Sequence, residues 1–253
     1  MTRDLFGLVG QTVGGKFRVE RVLGEGGFGV VYAGTHLLLG VPVAIKCMKA
    51  PGYTPEDAER GAQAFLREAK ILYELTHPAI VRIYETGLLS GAPVPYAVLE
   101  LLSGTTLAAE IEARASARRH FTRDELIAIF APILEGVAFA HERGVVHRDL
   151  KPSNLMLVAE GSRFTPKVLD FGTARRDEPA AGAASMAFEP SKTGFTPLYA
   201  APEQWDGGYG AVGPRSDVFA LGLTIAEACL LGYPLARGEG MLAVFRALVD
   251  EGA

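Results

Sequence analysis

The segment HRDLKPSN, from His147 to Asn154, places a carboxylate, a lysine and an amide close together, and the tripeptide DFG begins downstream at Asp170. The carboxylate of Asp149 can accept a proton from a hydroxyl group or orient that hydroxyl, and Lys151 can neutralise charge on a transferred phosphoryl group. The amide oxygen of Asn154 and the carboxylate of Asp170 are ligands that suit Mg²⁺. This combination of residue types favours phosphoryl transfer.

Apolar residues flank this polar segment, with Val145-Val146 before it and Leu155-Met156 after it. Short polar side chains in such a setting need a role or a partner, because burial without hydrogen bonds is costly. The simpler alternative is that Asp149 and Asp170 only cap local backbone structure. The joint arrangement of two carboxylates, a lysine and an amide makes that alternative remote.

A glycine-rich stretch, LGEGGFGVVY from Leu23 to Tyr32, lies between two predicted strands. Gly24, Gly26 and Gly29 allow backbone N–H groups to approach phosphate oxygens closely, and Phe28 can fold the loop tip down. A dinucleotide-binding fingerprint would instead place its glycines between a strand and a helix. An ordinary hairpin without a ligand is the alternative, which this stretch by itself does not exclude.

Lys46 lies on the next predicted strand, Val41 to Lys49, where the alternating pattern turns its side chain toward a cleft. Glu68, on a helix predicted from Ala62 to Leu75, is a candidate partner for an ion pair that holds the lysine toward phosphates. Solvated surface charges are the alternative for both residues. The other motifs favour the ion pair.

The elements that position these residues are predicted to be mainly strands in the first half of the chain and mainly helices in the second half. Ser103-Gly104 marks the change, and a helix is predicted from Thr122, as its N-cap, to about Glu142. The apolar run Val218 to Leu231 is too short to span a bilayer and is typical of a buried helix. Further strands are predicted over Phe17–Val22, Ile80–Thr86 and Tyr96–Leu101.

The composition is that of a globular enzyme, with 253 residues of which 49% are hydrophobic and 21% are charged. The net charge of -4 gives no electrostatic reason to expect nucleic acid or a membrane surface as the main partner. Cys47 and Cys229 lie far apart without metal-ligand spacing, which favours a reducing compartment over a disulfide framework or zinc site. Residues 1–16 are predicted to be a short cytoplasmic leader.

The motifs GEGGFGVV, VAIK, HRDLKPSN, DFG, APE and SDVFALG together resemble the catalytic domain of eukaryotic-type bacterial serine/threonine protein kinases. The resemblance implies an α+β, two-lobed protein kinase-like fold. Its N-lobe, residues 17–102, would be an antiparallel sheet plus one helix, and its C-lobe, residues 103–253, would be mainly helical. It also implies ATP and Mg²⁺, with Mn²⁺ as an alternative, and Ser/Thr of proteins as acceptors.

By this resemblance Asp149 is the catalytic base, Lys46 the phosphate anchor and Glu68 its partner, while Asn154 and Asp170 bind the metal. Lys151 completes the catalytic set. The hinge that binds adenine is Glu100 to Leu102, with Leu99 as gatekeeper. The residues implied to contact the nucleotide are Leu23, Gly24, Glu25, Gly26, Gly27, Phe28, Gly29, Val31, Ala44, Lys46, Leu99, Glu100, Leu102 and Met156.

Arg148 precedes the catalytic aspartate, as in kinases that are switched on by phosphorylation of the activation loop, because an arginine there can hold a phosphate. We predict Thr193 as such a site, with Ser191 and Ser185 as further candidates. Unmodified loop hydroxyls are the alternative. The lysine of HRDLKPSN, together with Thr196 before a proline, favours serine and threonine over tyrosine as acceptors.

The family continues beyond the position of Ala253 with further helices and an arginine that pairs with the glutamate of APE, here Glu203. The sequence therefore predicts a truncated C-lobe. The alternative function is an ATP-binding, kinase-like scaffold that the truncation has inactivated. A small-molecule phosphotransferase is disfavoured, because it should lack an activation segment ending in APE. The expected partners are ATP, protein substrates and a second copy during autophosphorylation, in a bacterial cytoplasm, with a downstream membrane anchor conceivable in a longer parent.

Overall fold

The computed structural model describes residues 3–26, 29–49, 73–91, 94–161, 163–170, 175–176 and 197–234. The chain divides into two compact units. The first comprises Met1–His77 and Val81–Ser103, and the second comprises Pro78–Ile80 and Gly104–Ala253. The helix predicted from Ala62 to Leu75 lies almost wholly outside the described residues.

The first unit is built on a six-stranded sheet in the order β1-β2-β3-β4-β6-β5, and all of its neighbouring strands pair antiparallel. Each strand predicted for this half of the chain is present, with ends shifted by a few residues, so the predicted antiparallel sheet is confirmed. The strands are β1 (Thr12–Val13), β2 (Phe17–Gly26), β3 (Gly29–His36), β4 (Pro42–Met48), β5 (Ile83–Leu88) and β6 (Pro95–Glu100).

The two faces of this sheet differ in their side chains. Successive side chains of a strand point to opposite sides of the sheet, so residues that alternate along a strand share one face. The apolar core lies on one of these faces. Lys46 is paired with Val31 and Ala97, and Ala44 with Leu99, so these residues share the other face. The buried core residues are Val13, Phe17, Val19, Val30, Tyr32, Val43, Ile45, Cys47, Tyr96 and Val98.

The segment before β2 packs against the core face. The carboxylate of Asp4 accepts hydrogen bonds from the backbone N of Leu8 at 3.1 Å, the backbone N of Val9 at 3.0 Å and the hydroxyl of Tyr32 at 2.8 Å. Phe6 and Leu8 contact the core cluster. Burial and the hydrogen bond to Asp4 raise the pKa of Tyr32. The sequence pattern did not indicate this packing.

The second unit combines helices with short strands. Its three-stranded sheet has the order β10-β9-β7, and β8 pairs antiparallel with β11. Short 3-10 turns cover Pro152–Asn154, Pro197–Tyr199 and Gly207–Tyr209. The strands are β7 (Gly104–Thr106), β8 (Val145–Val146), β9 (Leu155–Glu160), β10 (Arg163–Val168) and β11 (Arg175–Arg176), and the helices are α1 (Leu107–Ala117), α2 (Arg123–His141), α3 (Pro202–Trp205) and α4 (Pro214–Leu230).

Helix α2 begins with a capping box. The hydroxyl of Thr122 accepts from the backbone N of Glu125 at 3.2 Å, and the Glu125 carboxylate accepts from the backbone N of Thr122 at 2.7 Å. These bonds satisfy backbone donors that the first helical turn leaves without partners. The predicted N-cap and helix are therefore confirmed. The buried face of α2 carries Ile129, Phe130, Ile133, Gly136, Val137 and Ala140.

Arg114 joins α1 to α2. Its guanidinium contacts Glu125 through Nη2 at 2.7 Å and Nη1 at 3.1 Å, and its Nε donates to Glu110 at 2.6 Å. The same group lies 4.0 Å from the centre of the Phe121 ring. The hydrogen bonds from Arg114 lower the pKa of Glu125 to about 2. Arg114 is thus a charged tie between two helices.

The apolar run lies in α4, so the predicted helix is confirmed, but only part of it is buried, since Val218 is 63% exposed and Leu230 is 61% exposed. Ala220, Leu221, Thr224 and Ala228 are among its buried residues. No helix in the described ranges is long and apolar enough to cross a membrane.

Candidate active site

The predicted catalytic residues of the second unit meet in the loop between β8 and β9. Asp149 is 6% exposed and Asn154 is 7% exposed. Lys151 Nζ lies 2.7 Å from Asp149 Oδ2, and Asn154 Nδ2 donates to the same oxygen at 3.1 Å and to the Asp149 carbonyl at 2.7 Å. The structure therefore brings together the carboxylate, the lysine and the amide that the sequence singled out.

His147 is the first residue of this loop and is 1% exposed. Its Nε2 lies 2.7 Å from the Leu169 carbonyl, and its Nδ1 lies 3.3 Å from the backbone N of Asp149. A proton on Nε2 satisfies both contacts, because the ring then donates to the carbonyl and accepts from the amide. The imidazole thus connects the loop between β8 and β9 to the segment that ends in Asp170.

Asp217, on α4, supports the loop through hydrogen bonds to its backbone. The sequence analysis did not identify this role. It is 1% exposed, its Oδ2 accepts from the backbone N of His147 at 2.8 Å, and its Oδ1 accepts from the backbone N of Arg148 at 2.8 Å. His141 Nε2 also contacts Oδ2 at 2.8 Å. The motif SDVFALG contains this aspartate, but its partners lie far away in sequence.

Arg148 has a backbone conformation that non-glycine residues rarely adopt, with φ of 69°. This left-handed conformation costs about 1–2 kcal/mol for an L-residue. It persists where the surroundings fix the backbone. Asp217 supplies one such restraint through the Arg148 N–H.

Asp170 follows directly from the β9–β10 hairpin. Leu155 is paired with Val168, and the backbone N of Leu169 donates to the Asn154 carbonyl at 2.8 Å. Asp170 is half-buried and has φ of 58°. The hairpin register therefore places Asp170 beside the end of the loop that carries Asn154.

The donor set at this place fits a hard divalent cation. The Nδ2 group of Asn154 donates to two oxygens of Asp149, its backbone carbonyl and Oδ2. The other end of the amide, Oδ1, is therefore the atom that can bind a metal ion. A carboxylate and an amide oxygen are ligands that Mg²⁺ takes together with water and phosphate oxygens. In the described part of the chain, no cluster of three or more His, Cys, Asp or Glu side chains could bind a metal without such help.

Four residues of the first unit that are implied to contact nucleotide share the non-core face of the sheet, namely Val31, Ala44, Lys46 and Leu99. Lys46 is 6% exposed, which excludes the alternative of a solvated surface charge. Val31 and Leu99 are half-buried on the same face, and Ala44 is buried there. The Glu100 backbone N donates to the Arg82 carbonyl at 3.0 Å. Leu102 and, in the second unit, Met156 are half-buried.

The described part of the glycine-rich stretch forms the ends of β2 and β3, where Gly26 pairs with Gly29. A Cβ atom on Gly29 would lie 2.1 Å from the Cys47 carbonyl oxygen, so only glycine fits there. Glu25 forms an ion pair with Lys49 at 3.0 Å. Leu23 and Gly24 lie on β2.

Several predicted residues lie outside the described part of the chain, so the Lys46–Glu68 pair and the phosphorylation sites remain predictions. They are Gly27, Phe28, Glu68, Ser185, Ser191 and Thr193.

Glu203 of APE and the two residues after it contact other parts of the second unit through polar side-chain atoms. Glu203 Oε1 accepts from the Ser216 hydroxyl at 2.6 Å. Gln204 Nε2 donates to the Arg148 carbonyl at 2.8 Å, and its Oε1 accepts from the backbone N of Ala201 at 3.1 Å. Trp205 Nε1 donates to the carbonyl of Ala200 at 3.3 Å. The sequence did not indicate the Gln204 contact.

Comparison with known proteins identifies the family of this chain. The family described as "Protein kinase domain" matches residues 17–250. This chain belongs to the protein kinase family. Members of the family use ATP and a divalent metal ion. The predicted membership is therefore confirmed.

The curated relatives are bacterial serine/threonine kinases by name. A probable serine/threonine-protein kinase of Streptomyces coelicolor is 33% identical over 242 residues, which are 94% of this chain and 34% of that protein. PknB of Mycobacterium tuberculosis is 32% identical over 90% of this chain and 34% of its own length. Pkn1 of Myxococcus xanthus is 36% identical over 90% of this chain and 31% of its own length. This kinase chain thus spans about a third of the length of these relatives.

Among solved structures, the kinase domain of Mycobacterium tuberculosis PknI, crystallised as a double mutant, matches with a TM-score of 0.67 at 24% identity. The match covers 95% of this chain and 90% of that chain. The predicted protein kinase fold is confirmed.

Proposed function

We propose that this chain is the catalytic domain of a serine/threonine protein kinase, which transfers the γ-phosphoryl group of ATP to serine or threonine hydroxyls of proteins, itself included. The observation that carries the proposal is the hydrogen-bonded arrangement of Asp149, Lys151 and Asn154 in a chain of the protein kinase family. The names of the curated relatives support the choice of serine and threonine.

In this proposal Asp149 orients the acceptor hydroxyl and takes its proton. Its carboxylate is held by Lys151 and Asn154, so the geometry exists before the substrate binds. Lys151 also places a positive charge where negative charge develops on the transferred group. The acceptor oxygen forms its bond to the γ-phosphorus while the bond from that phosphorus to the β–γ bridging oxygen breaks, and ADP leaves with the electron pair of the broken bond. The proton of the acceptor hydroxyl moves to a carboxylate oxygen of Asp149.

Asn154 through Oδ1 and Asp170 through its carboxylate would hold Mg²⁺, with Mn²⁺ as a substitute. When bound, the ion neutralises charge on the phosphate oxygens. Lys46 would anchor the phosphates, with Glu68 as its partner. The hinge residues Glu100 and Leu102 would bind adenine.

An apolar slot suits a flat ring such as adenine. In this proposal Val31, Ala44, Leu99 and Met156 line it, and the strand register that groups Val31, Ala44 and Leu99 on the face of Lys46 supports this assignment. The glycine-rich residues Leu23 to Gly29 would cover the phosphates. Residues 17–102 and 103–253 would be the two lobes, which the division into compact units near Ser103 supports.

We further propose that phosphorylation at Thr193, with Ser191 and Ser185 as further candidates, activates the kinase through Arg148. Mass spectrometry of active protein checks this, and a fully unmodified loop would contradict it.

A cytoplasmic location is supported by Cys47 and Cys229, which are both free thiols.

The proposed function is tested by transfer of labelled γ-phosphate from ATP to a generic basic protein in the presence of Mg²⁺. Asp149→Asn should lower the rate roughly 10²- to 10⁴-fold, the range expected for loss of a general base. Asp124→Asn makes the same chemical change at an exposed position in the first turn of α2 and should leave the rate unchanged. Binding of ATP without any transfer by the unsubstituted chain would favour the scaffold instead.

A further inference from the structure

We propose that Gln204 is a positioning residue for phosphoryl transfer, because its side-chain amide fixes the peptide group that joins Arg148 to Asp149. The inference rests on the proposed function. Gln204 belongs to α3, directly after Glu203 of APE, and lies far from Asp149 in sequence.

The orientation of the Gln204 amide follows from its two partners. Its Nε2 donates to the Arg148 carbonyl at 2.8 Å, and its Oε1 accepts from the backbone N of Ala201 at 3.1 Å. A carbonyl can only accept and a backbone N–H can only donate, so the reverse orientation would lose both bonds. The Ala201 contact therefore holds the amide with its donor toward the catalytic loop.

The peptide group that Gln204 contacts is the one that sets the direction of Asp149. Its C=O is bound by Gln204, and its N–H, which belongs to Asp149, donates to His147 Nδ1 at 3.3 Å. A peptide group is planar, so partners on both its oxygen and its nitrogen fix the rotation of the plane. That rotation determines where the Asp149 side chain points.

The backbone at Arg148 needs such restraint. Its φ of 69° is unfavourable for an L-residue, and such a conformation persists only where the surroundings fix it. Asp217 Oδ1 holds the N–H of Arg148 at 2.8 Å, and Gln204 holds its C=O. Arg148 is thus clamped on both sides by side chains from two different helices.

Those two helices are tied to each other. The Ser216 hydroxyl, next to Asp217 on α4, donates to Glu203, next to Gln204 on α3, at 2.6 Å. The bond between Ser216 and Glu203 therefore links the helix that carries Asp217 to the helix that carries Gln204. Loss of the Gln204 bond would keep the Asp217 contact at the Arg148 N–H and remove the Gln204 contact at its carbonyl. Asp149 would then move away from the position that its reaction requires.

The test uses Gln204→Glu and Gln204→Met in the full chain. The glutamate still accepts from Ala201 but cannot donate to Arg148 when ionised, and the methionine removes both bonds at similar size. Single-turnover transfer to a peptide at saturating ATP should be slowed roughly 10- to 100-fold, as expected when a catalytic group is misplaced by about 1 Å. KM for ATP should stay within about twofold of the unsubstituted value, since the nucleotide is held by other residues.

Gln11→Glu is the matched control, because Gln11 is exposed and lies in the other unit. A second measurement does not depend on activity: hydrogen exchange across residues 147–154 should be faster in Gln204→Glu than in the control. Undiminished transfer and unchanged exchange in both Gln204 variants would overturn the inference and leave the kinase function standing. An equal loss of ATP binding, transfer and melting temperature would also overturn it, since that result indicates general unfolding. No transfer by the unsubstituted chain would overturn the proposed function as well.

Discussion

Lys46 in the sheet unit and Asp149 in the helical unit are each 6% exposed, but the two units hold these residues by different means. Strand register places Lys46, since its neighbours Val31 and Ala97 lie opposite it on paired strands. Side-chain hydrogen bonds from distant positions place Asp149, through the backbone of His147 and Arg148. The sheet should therefore tolerate changes in its core with little effect on catalysis, whereas the loop should not tolerate loss of a single polar support.

Asp217→Asn tests the polar side of this comparison and should have the largest effect. An amide offers one oxygen where the carboxylate offers two, so a buried donor loses its partner, at a cost of about 3 kcal/mol in the free energy of unfolding. Transfer per folded molecule should also fall by more than tenfold, because the backbone of Arg148 is released. Urea unfolding and single-turnover assays measure the two effects. A variant that loses stability but retains full transfer would show that the loop does not depend on this support.

Arg114→Met tests whether charged side-chain interactions away from the loop also matter for catalysis, or only those of Asp217 with the loop backbone. Removing the bonds to Glu110 and Glu125 should lower the free energy of unfolding by about 1–2 kcal/mol at neutral pH, because Glu125 is partly exposed and its pair is partly screened. Transfer should stay unchanged. A large loss of transfer would extend the polar support of the loop to α1 and α2.

The same substitution has a pH signature. The pKa of Glu125 is lowered from 4.5 to about 2 in the folded chain, so its contribution to stability is present above pH 4.5 and is lost as the pH falls toward 2. Unfolding at a series of pH values from 6 to 2 should show a smaller decline in Arg114→Met than in the unsubstituted chain. Equal declines would mean that Arg114 is not the cause of the lowered pKa.

Ile45→Val tests the apolar side and should have the smallest effect. Ile45 is fully buried, and loss of one methylene group there should cost about 1 kcal/mol in the free energy of unfolding. Its side chain lies on the opposite face from Lys46, so KM for ATP and the rate of transfer should both remain within about twofold. A marked rise in KM for ATP would show that the two faces of the sheet are coupled.

The residues that we propose to perform chemistry could be identified from the sequence, whereas the residues that support them could not. Asp149, Lys151 and Asn154 lie within one short loop, so their types and spacing predict that they lie together, as the hydrogen bonds among them confirm. The strands of the sheet and the N-cap Thr122 could also be predicted, because alternation and capping are local patterns.

Asp217 and Gln204 could not be predicted, because each acts on backbone that is distant in the chain and a backbone group has no residue type to recognise. His141 could not be predicted either, because its partner is the distant carboxylate of Asp217. The role of Asp4 could not be predicted either, because its contact with the Tyr32 hydroxyl depends on how the first residues fold back over the sheet. A carboxylate near a chain end carries no local sign of such a partner. Tertiary hydrogen bonds of this kind become visible only once the fold has brought the segments together.

Trp205 is the single tryptophan of the chain, and it lies next to Gln204 with its indole N–H on the Ala200 carbonyl. Its fluorescence therefore reports from one known place, the short helix that contacts the catalytic loop. The emission maximum and quenching of this one fluorophore provide a label-free optical signal for the state of α3 while ATP or peptide is added. The protein thus contains its own spectroscopic probe at the point where the activation segment ends.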